Sequence, residues 1–403
     1  MLFDPARHQA LQKIAWDEDR VRAAIAHIVR DTESRFSPES LWPLHPRDAD
    51  GGETAPAYPL YHGACGVVWA LQYLADIGAA RTSRSFDAYL EPVRQRIRAW
   101  LASFGSSDFA SYMMGETGVL LLRYFRAATG ADAARLEELI GSNVDNPTRE
   151  LMWGSPGTLL AALFVHERTG DARWAELFRI TARKLWSQLL WSSEHECHYW
   201  TQDMYGEQST YLDAVHGFVA TASALIRGRH LLGAEEWSLW EQCIVNTSER
   251  TATWEGKLAN WRALLDHPQR RPPHMLMQYC HGAPGFIVCL AGMTGTSLDN
   301  VLIAGGEATW TAGPLAKGSN LCHGTAGNGY AFLKLFQRTG DALWLDRARA
   351  FAMHAMQQSE ADERRHGRLR YSLWTGDPGL AIYLWDCIRG TAAFPTLDVF
   401  FAK

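Results

Sequence analysis

Two cysteine–histidine pairs occur in the second half of the chain in the same local context. Cys280-His281 begins the run CHGAPG and Cys322-His323 begins CHGTAG, so each pair precedes two glycines spaced three residues apart. Thiolate sulfur and imidazole nitrogen are typical ligands of Zn²⁺. A helix N-terminus also lowers the pKa of a nearby thiol, which favours metal binding. The repeated pair therefore predicts a zinc site rather than two unrelated small residues.

The number of ligands decides what such a site does. Consecutive residues project in different directions, so Cys280 and His281 are not expected to reach one ion together. At the start of a helix, Cys322 and His323 can do so if the cysteine lies in the extended cap. We therefore predict Cys280, Cys322 and His323 as ligands, with a fourth position open to water or substrate, as in catalytic zinc sites.

The same glycine spacing recurs along the chain and indicates the elements that position these pairs. A glycine, two residues, a second small residue and an apolar run occur seven times, which is the signature of a repeat architecture. The apolar runs are apolar nearly all round, as buried helices are. The leading glycines are Gly63, Gly115, Gly154, Gly217, Gly282, Gly324 and Gly376.

A second signal marks the turn that follows several of these helices. Thr129-Gly130, Thr169-Gly170 and Thr339-Gly340 each precede an amphipathic segment. A glycine after an apolar helix is typical of a helix end, and an aspartate after it suits the cap of the next helix. Each repeat then supplies one inner and one outer helix. The sequence predicts an all-α fold, a closed (α/α)7 toroid or barrel of seven inner and seven outer helices.

We expect one domain over residues 1–403. Residues 1–60 match the repeat pattern poorly and are expected to form a helical and loop extension packed on the barrel. The polar stretch from Pro43 to Pro59 is expected to be a loop over the barrel mouth.

Composition excludes several other classes of protein. A net charge of −5 gives no general basic surface for nucleic acid. No apolar run approaches the roughly 20 residues of a membrane-spanning helix, and no basic segment followed by an apolar one suggests a signal peptide. Seven irregularly spaced cysteines argue against a disulfide framework. These features favour a cytoplasmic protein.

The two motifs, read together with the seven helix starts, resemble the lanthionine synthetase C-like (LanC-like) family. They are YCHGAPG at 279–285 and LCHGTAGN at 321–328, and the resemblance spans the chain from about residue 60. It implies an (α/α)7 barrel with one catalytic zinc held by two cysteines and one histidine, here Cys280, Cys322 and His323. His281 after Cys280, and Lys317-Gly318 before Leu321-Cys322, resemble the stand-alone, eukaryotic-type branch.

The resemblance also implies a reaction. In the cyclases, zinc binds a peptide cysteine thiolate that adds to a dehydroalanine or dehydrobutyrine; the stand-alone members resemble glutathione transferases acting on such residues. A histidine at another inner-helix start would then act as general acid, and His216 in DAVHGF is the candidate. Glu150 lies where the cyclases carry an acidic residue that assists catalysis. Lys317, and more weakly Arg370, are candidates to hold a substrate carboxylate such as that of glutathione.

Two departures from the family pattern concern the helix starts. Ala220 stands where the fourth repeat would have its second glycine, so the start of that helix is expected to differ. Thr375 precedes the last leading glycine, where an acidic residue is expected.

Several alternatives remain open at this stage. A glycoside hydrolase needs a facing pair of carboxylates, and only Glu116, Glu150 and Asp377 lie at inner-helix starts. A prenyltransferase-like barrel would include an aspartate among its zinc ligands. A lanthipeptide cyclase acting on a dehydrated precursor would use the predicted chemistry. A non-catalytic, zinc-containing binding or scaffold protein would keep the zinc but catalyse no reaction.

Overall fold

The computed structural model describes residues 1–49, 55–127, 129–266 and 275–402. It contains fourteen α-helices within these ranges. They are α1 (Glu18–Ser34), α2 (Ala64–Asp76), α3 (Leu90–Ser103), α4 (Glu116–Ala127), α5 (Gly130–Asn143), α6 (Ser155–Thr169), α7 (Ala172–Ser187), α8 (Phe218–Arg227), α9 (Ala234–Arg250), α10 (Ala283–Leu290), α11 (Asp299–Ala312), α12 (Thr325–Thr339), α13 (Ala342–His366) and α14 (Asp377–Arg389).

The seven even-numbered helices form a closed inner ring. Each packs against the next even-numbered helix, and α14 packs against α2 to close the ring. Each begins directly after one of the seven leading glycines, so all seven N-termini lie at one end of the barrel, called here the mouth. The odd-numbered helices pack outside. The all-α toroid predicted from the sequence is confirmed.

The second glycine of the repeat is needed for close packing at the mouth. A Cβ atom on Gly327 would lie 1.8 Å from the carbonyl oxygen of Leu321, and one on Gly285 would lie 2.0 Å from that of Tyr279. These carbonyls belong to the segment that leads into the same helix. Ala220 fits in the fourth repeat, where its backbone N–H donates to the Asp213 carbonyl at 3.3 Å.

Two of the three turns follow the sequence prediction. Gly170 and Gly340 end α6 and α12 in the left-handed conformation, and Asp171 and Asp341 cap the helices that follow. The third differs, because Gly130 is the first residue of α5 rather than the end of α4. Thr129 caps α5 by accepting a hydrogen bond from the Asp132 N–H.

The seventh outer helix comes from the N-terminal part of the chain. Helix α1 packs against α14 and α13 and buries Val21, Ile25, Ile28 and Val29. Residues 1–60 are expected from the sequence to form an extension packed on the barrel, and within them α1 takes the place of an outer helix. Of the Pro43–Pro59 loop, residues 50–54 lie outside the described residues.

The C-terminal segment fills the end of the barrel opposite the mouth. The Tyr112 hydroxyl donates to the Thr396 carbonyl at 2.7 Å, and the Trp69 indole N–H donates to the Phe400 carbonyl at 2.9 Å. Phe394, Leu397 and Phe400 are buried there.

Strand structure in the described residues is limited to three antiparallel hairpins. They join β1 (Leu190–Ser192) to β2 (Cys197–Tyr199), β3 (Gln202–Met204) to β4 (Glu207–Ser209), and β5 (Ala252–Glu255) to β6 (Leu258–Trp261). Strands of three or four residues are too short to show an alternating pattern in the sequence. None of the described helices has the length and apolar character needed to cross a membrane.

Candidate active site

Seven equivalent residues line the mouth, one from each repeat and each two positions before the leading glycine; we call them the mouth ring. Backbone hydrogen bonds of 2.9 to 3.2 Å join six of them in sequence, each N–H donating to the carbonyl of the next member. Side chains from distant repeats are therefore placed side by side by main-chain atoms. In the order of donation, the six are Cys280, Cys322, Trp374, Tyr61, Met113 and Met152, and Val215 holds the seventh position.

The two predicted cysteine ligands are neighbours in this ring. The Cys280 N–H donates to the Cys322 carbonyl at 3.0 Å, and both side chains are buried, at 7% and 4% exposure. Cys280 and His323 both act on the Cys322 thiol and lower its pKa. The structure therefore places Cys280 and His323 near Cys322.

Further hydrogen bonds favour a thiolate at this position. The Tyr61 hydroxyl donates to the Cys322 sulfur at 2.9 Å, and the Gln278 amide donates to the Cys280 sulfur at 2.9 Å. The hydrogen bond from Cys280 holds the pKa of Cys322 well below its ordinary value, against the effect of burial, with help from His323 and Tyr61. Burial and the neighbouring Cys322 raise the pKa of Cys280.

These residues fit a zinc ion. Two thiols and an imidazole form a soft-to-borderline donor set of the kind that selects Zn²⁺. The backbone N–H of His323 is held by Asn320 at 3.0 Å, which fixes the loop that carries the ligand. Cys280, Cys322 and His323 would hold the ion, which would supply a Lewis acid at the mouth.

His216 and Glu150, both predicted as catalytic, are in direct contact. The His216 Nδ1 atom lies 2.9 Å from a carboxylate oxygen of Glu150. Glu150 is fully buried and also accepts the N–H groups of Met152 and Trp153. Its carboxylate therefore fixes both its own loop and the histidine of the next repeat.

This contact controls the charge of His216. Burial alone would lower the pKa of the imidazole. The hydrogen bond that the imidazole donates to Glu150 and the negative charges of Glu150, Asp213 and Cys322 outweigh burial and raise the pKa to about 9. His216 is therefore protonated at neutral pH, with Nδ1 on the carboxylate and Nε2 available as a proton donor.

A second histidine–carboxylate pair was missed by the sequence analysis. His281 Nδ1 lies 2.8 Å from Asp213, and Asp213 also accepts the N–H groups of Val215 and His216. Burial would raise the pKa of Asp213, but the charge and hydrogen bond of His281 hold it below its ordinary value. Glu150 and Asp213 each stand four residues before a leading glycine, and this shared spacing was the available signal.

Lys317 and Arg370 occupy different environments. Lys317 is exposed, and its backbone carbonyl accepts a hydrogen bond from the Arg47 guanidinium. Arg370 is buried and forms a two-pronged ion pair with Asp48, with one contact at 2.6 Å. The Thr375 hydroxyl also donates to Asp48, at 3.2 Å. The carboxylate-binding group of Arg370 thus already holds a carboxylate of the same chain.

The carboxylates that a glycoside hydrolase would need are engaged elsewhere. Glu116 is buried and forms ion pairs with Arg94, Arg98 and Arg135 at 2.8 to 2.9 Å. Asp377 accepts hydrogen bonds from the Ser359 hydroxyl and the Arg370 N–H. Through these contacts, both side chains stabilise the starts of inner helices.

Comparison with known proteins agrees with this architecture. The chain is 25% identical over 386 residues to the glutathione S-transferase LANCL1 of Danio rerio, covering 88% of this chain and 86% of that protein. It is 31% identical over 140 residues to the LanC-like protein GCL1 of Arabidopsis thaliana, covering 32% and 31% of the two chains.

A solved structure of nisin cyclase shares the fold. It superposes with a TM-score of 0.53 at 15% identity, covering 93% of this chain and 99% of the cyclase. The family model for lanthionine synthetase C-like proteins matches residues 57–399, which include the whole inner ring and the mouth ring. The resemblance seen in the two Cys-His motifs is thereby confirmed, and the chain belongs to the lanthionine synthetase C-like protein family.

Proposed function

We propose that this protein is a zinc-dependent enzyme that adds a thiol, glutathione in the first instance, to dehydroalanine or dehydrobutyrine residues of peptides or proteins. The new bond joins the thiol sulfur to the β-carbon, and the α-carbon gains a proton, so the product is a thioether. The relative from Danio rerio is named a glutathione S-transferase, which supports this choice of thiol donor.

The observation that carries the proposal is the placement of two chemically different groups at one mouth. Cys280, Cys322 and His323 form a donor set for zinc. The protonated His216, held by Glu150, lies close enough for the charge of Cys322 to raise its pKa. A nucleophile and a proton donor are what addition to a carbon–carbon double bond requires.

When bound, zinc supplies Lewis-acid stabilisation of a substrate thiolate at neutral pH. The protein's own residues prepare the rest. The hydroxyl of Tyr61 and the amide of Gln278 hold the two cysteine sulfurs in place. The backbone hydrogen bonds of the mouth ring fix the spacing between the sulfurs.

His216 completes the addition as general acid. Attack of the thiolate on the β-carbon breaks the π bond and leaves an enolate at the α-carbon and its carbonyl. Nε2 of His216 donates the proton to the α-carbon, and the neutral imidazole then regains a proton equivalent to the one lost by the incoming thiol. Glu150 keeps the imidazole oriented and charged throughout.

The surroundings of the mouth bear on the thiol donor. The exposed Lys317 is the candidate for a glutathione carboxylate. Arg370 can serve only after Asp48 has left its guanidinium. All seven cysteines are free and buried, which suits the reducing conditions of the cytoplasm, where we place the reaction.

The test combines metal analysis with a mass assay. Zinc-loaded protein is incubated with glutathione and a dehydroalanine peptide, and the expected result is one glutathione added per peptide. Cys322→Ala should lose the zinc of this site and the activity. Cys289→Ala, which removes a buried cysteine of α10 outside the mouth, should keep both.

Other outcomes distinguish the remaining functions. Cyclisation of a dehydrated peptide through its own cysteine, without glutathione transfer, would favour a lanthipeptide cyclase. Full zinc content with neither reaction would favour a binding or scaffold protein and would overturn the proposal.

A further inference from the structure

Three potential metal ligands meet outside the mouth ring. Asp362 and His366 lie one turn apart on α13, so their side chains share a helix face. His45 comes from the segment between α1 and α2 and packs against them. One ligand atom from each residue lies within 4.8 Å of the other two.

The distances suit a small cation. His366 Nε2 and an Asp362 oxygen are 3.6 Å apart, and the two imidazole rings meet edge-on with centroids 4.7 Å apart. Ligands of a zinc ion lie about 2.0 to 2.2 Å from it, so modest side-chain rotations would close the cluster around an ion. Asp362 and His366 remain partly exposed, which leaves a route for the ion to enter.

An unpartnered buried atom points to a missing ligand. His45 is 2% exposed, and its Nε2 atom is buried without a hydrogen-bond partner. Leaving a buried polar atom unsatisfied costs about 1–3 kcal/mol. Its Nδ1 atom lies 3.2 Å from the Arg47 N–H, so metal binding through Nε2 requires the proton to sit on Nδ1 and this weak backbone contact to open.

We propose that His45, Asp362 and His366 form a second metal site, which binds a first-row divalent ion and above all Zn²⁺. Two imidazoles and one carboxylate are a common donor set for such ions. Asp362 is also held by Arg47 at 3.1 Å through its other oxygen. A partner of this kind orients a ligating carboxylate.

The position of the site suggests what the ion does. Residues 45–48 carry Asp48, which holds Arg370, and Arg47, which holds the Lys317 carbonyl. An ion shared by His45 and α13 would fasten this segment at the rim of the mouth. The site is therefore structural, and its occupancy stabilises the contacts that surround Lys317 and Arg370.

Metal analysis of five proteins tests the proposal. The wild type should hold two equivalents of zinc, His45→Ala and Cys322→Ala one each, and the double variant none. His27→Ala is the matched control, because it removes another imidazole that contacts α13, through Glu363, and it should keep two equivalents.

Two further measurements keep the result clear if a variant folds poorly. Zinc should raise the Tm of Cys322→Ala but not of the double variant. Cobalt in Cys322→Ala should show the spectrum of a site without sulfur ligands. One equivalent of zinc in both the wild type and His45→Ala would overturn the proposal, and the three side chains would then form only a hydrogen-bonded cluster. If the wild type holds only one equivalent of zinc and His45→Ala holds none, the mouth site is empty and the proposal of a second site is still supported.

Discussion

His216 and His281 occupy equivalent positions in adjacent repeats, and each places Nδ1 on a buried carboxylate from the repeat before it. His323 has the same position in the next repeat. There the residue that would supply the carboxylate is Gln278, which instead donates to Cys280. One change of residue type thus separates a histidine held by a carboxylate from one available to a metal.

Changing Glu150 to glutamine should alter the pH dependence of activity. A general acid works below its own pKa, and Glu150 contributes most to raising the pKa of His216 to about 9. In Glu150→Gln the alkaline limb of kcat should therefore move to lower pH, with a loss of roughly 10²- to 10⁴-fold above neutral pH. The measurement is a pH–rate profile of glutathione addition.

The control for this variant is Glu138→Gln, an exposed glutamate on α5. It should leave the profile unchanged. An unshifted alkaline limb in Glu150→Gln would show that Glu150 does not set the charge of His216.

Only part of this site could be predicted from residue types. Cys280, Cys322 and His323 belong to a repeated motif, so spacing indicated them, whereas His216 was found from its matching register together with the reaction that the family resemblance implies. Asp213 repeats the spacing of Glu150 and could have been found in the same way. The Asp48–Arg370 pair joins residues 322 positions apart, and no local pattern indicates such a contact.

At the level of the elements, the glycine pairs predicted the inner helices because the close packing at the helix starts leaves no room for a side chain. Gly327→Ala puts a methyl group against the Leu321 carbonyl. The free energy of unfolding should fall by about 1–3 kcal/mol, as for other overpacked sites. Zinc content should fall too, because Leu321 precedes Cys322. Urea unfolding and metal analysis check both.

Gly141→Ala provides the opposite case on α5. A Cβ there would meet open space, so the substitution should stabilise the protein by about 0.4–1 kcal/mol. A destabilised Gly141→Ala, or an unaffected Gly327→Ala, would contradict the packing explanation.

Helix α1 shows where the sequence pattern stops being informative. Its amphipathic face indicates a surface helix, but not that it packs on α14, which lies more than 340 residues further along the chain. If α1 is integral to the barrel, Ile25→Ala should cost about 2–5 kcal/mol of unfolding free energy. Urea unfolding measures this, with the exposed Arg30→Ala as control. Equal stability of the two variants would mean that α1 is dispensable.

Across the whole molecule, Asp386 joins two inner helices and the C-terminal segment. It accepts hydrogen bonds from Tyr330 of α12 and from Thr391. Burial raises its pKa to about 6, although both hydrogen bonds oppose the shift. The folded protein therefore keeps the Asp386 proton up to a higher pH than the unfolded chain does.

This shift in pKa sets the sign of a pH effect on stability. A raised folded-state pKa contributes stability that is complete below the unfolded value of 3.8 and is lost as pH rises through about 6. Asp386→Asn cannot ionise, so relative to the wild type it should gain stability between pH 4 and 7, on the order of 3 kcal/mol. Denaturant unfolding at several pH values measures the difference. The exposed Asp346→Asn should show no such trend. If the unfolding free energies of Asp386→Asn and the wild type change in parallel with pH, the raised pKa of Asp386 is contradicted.

Main-chain hydrogen bonds join six of the seven residues of the mouth ring, so the backbone sets the spacing of these six positions. Two ring positions carry a cysteine thiol, and the others carry tyrosine, tryptophan, methionine or valine. Met113 and Met152 occupy positions of the mouth ring equivalent to those of the two cysteines. A protein engineer could exchange them for other donors and obtain a new metal centre or a relocated one without redesigning the backbone.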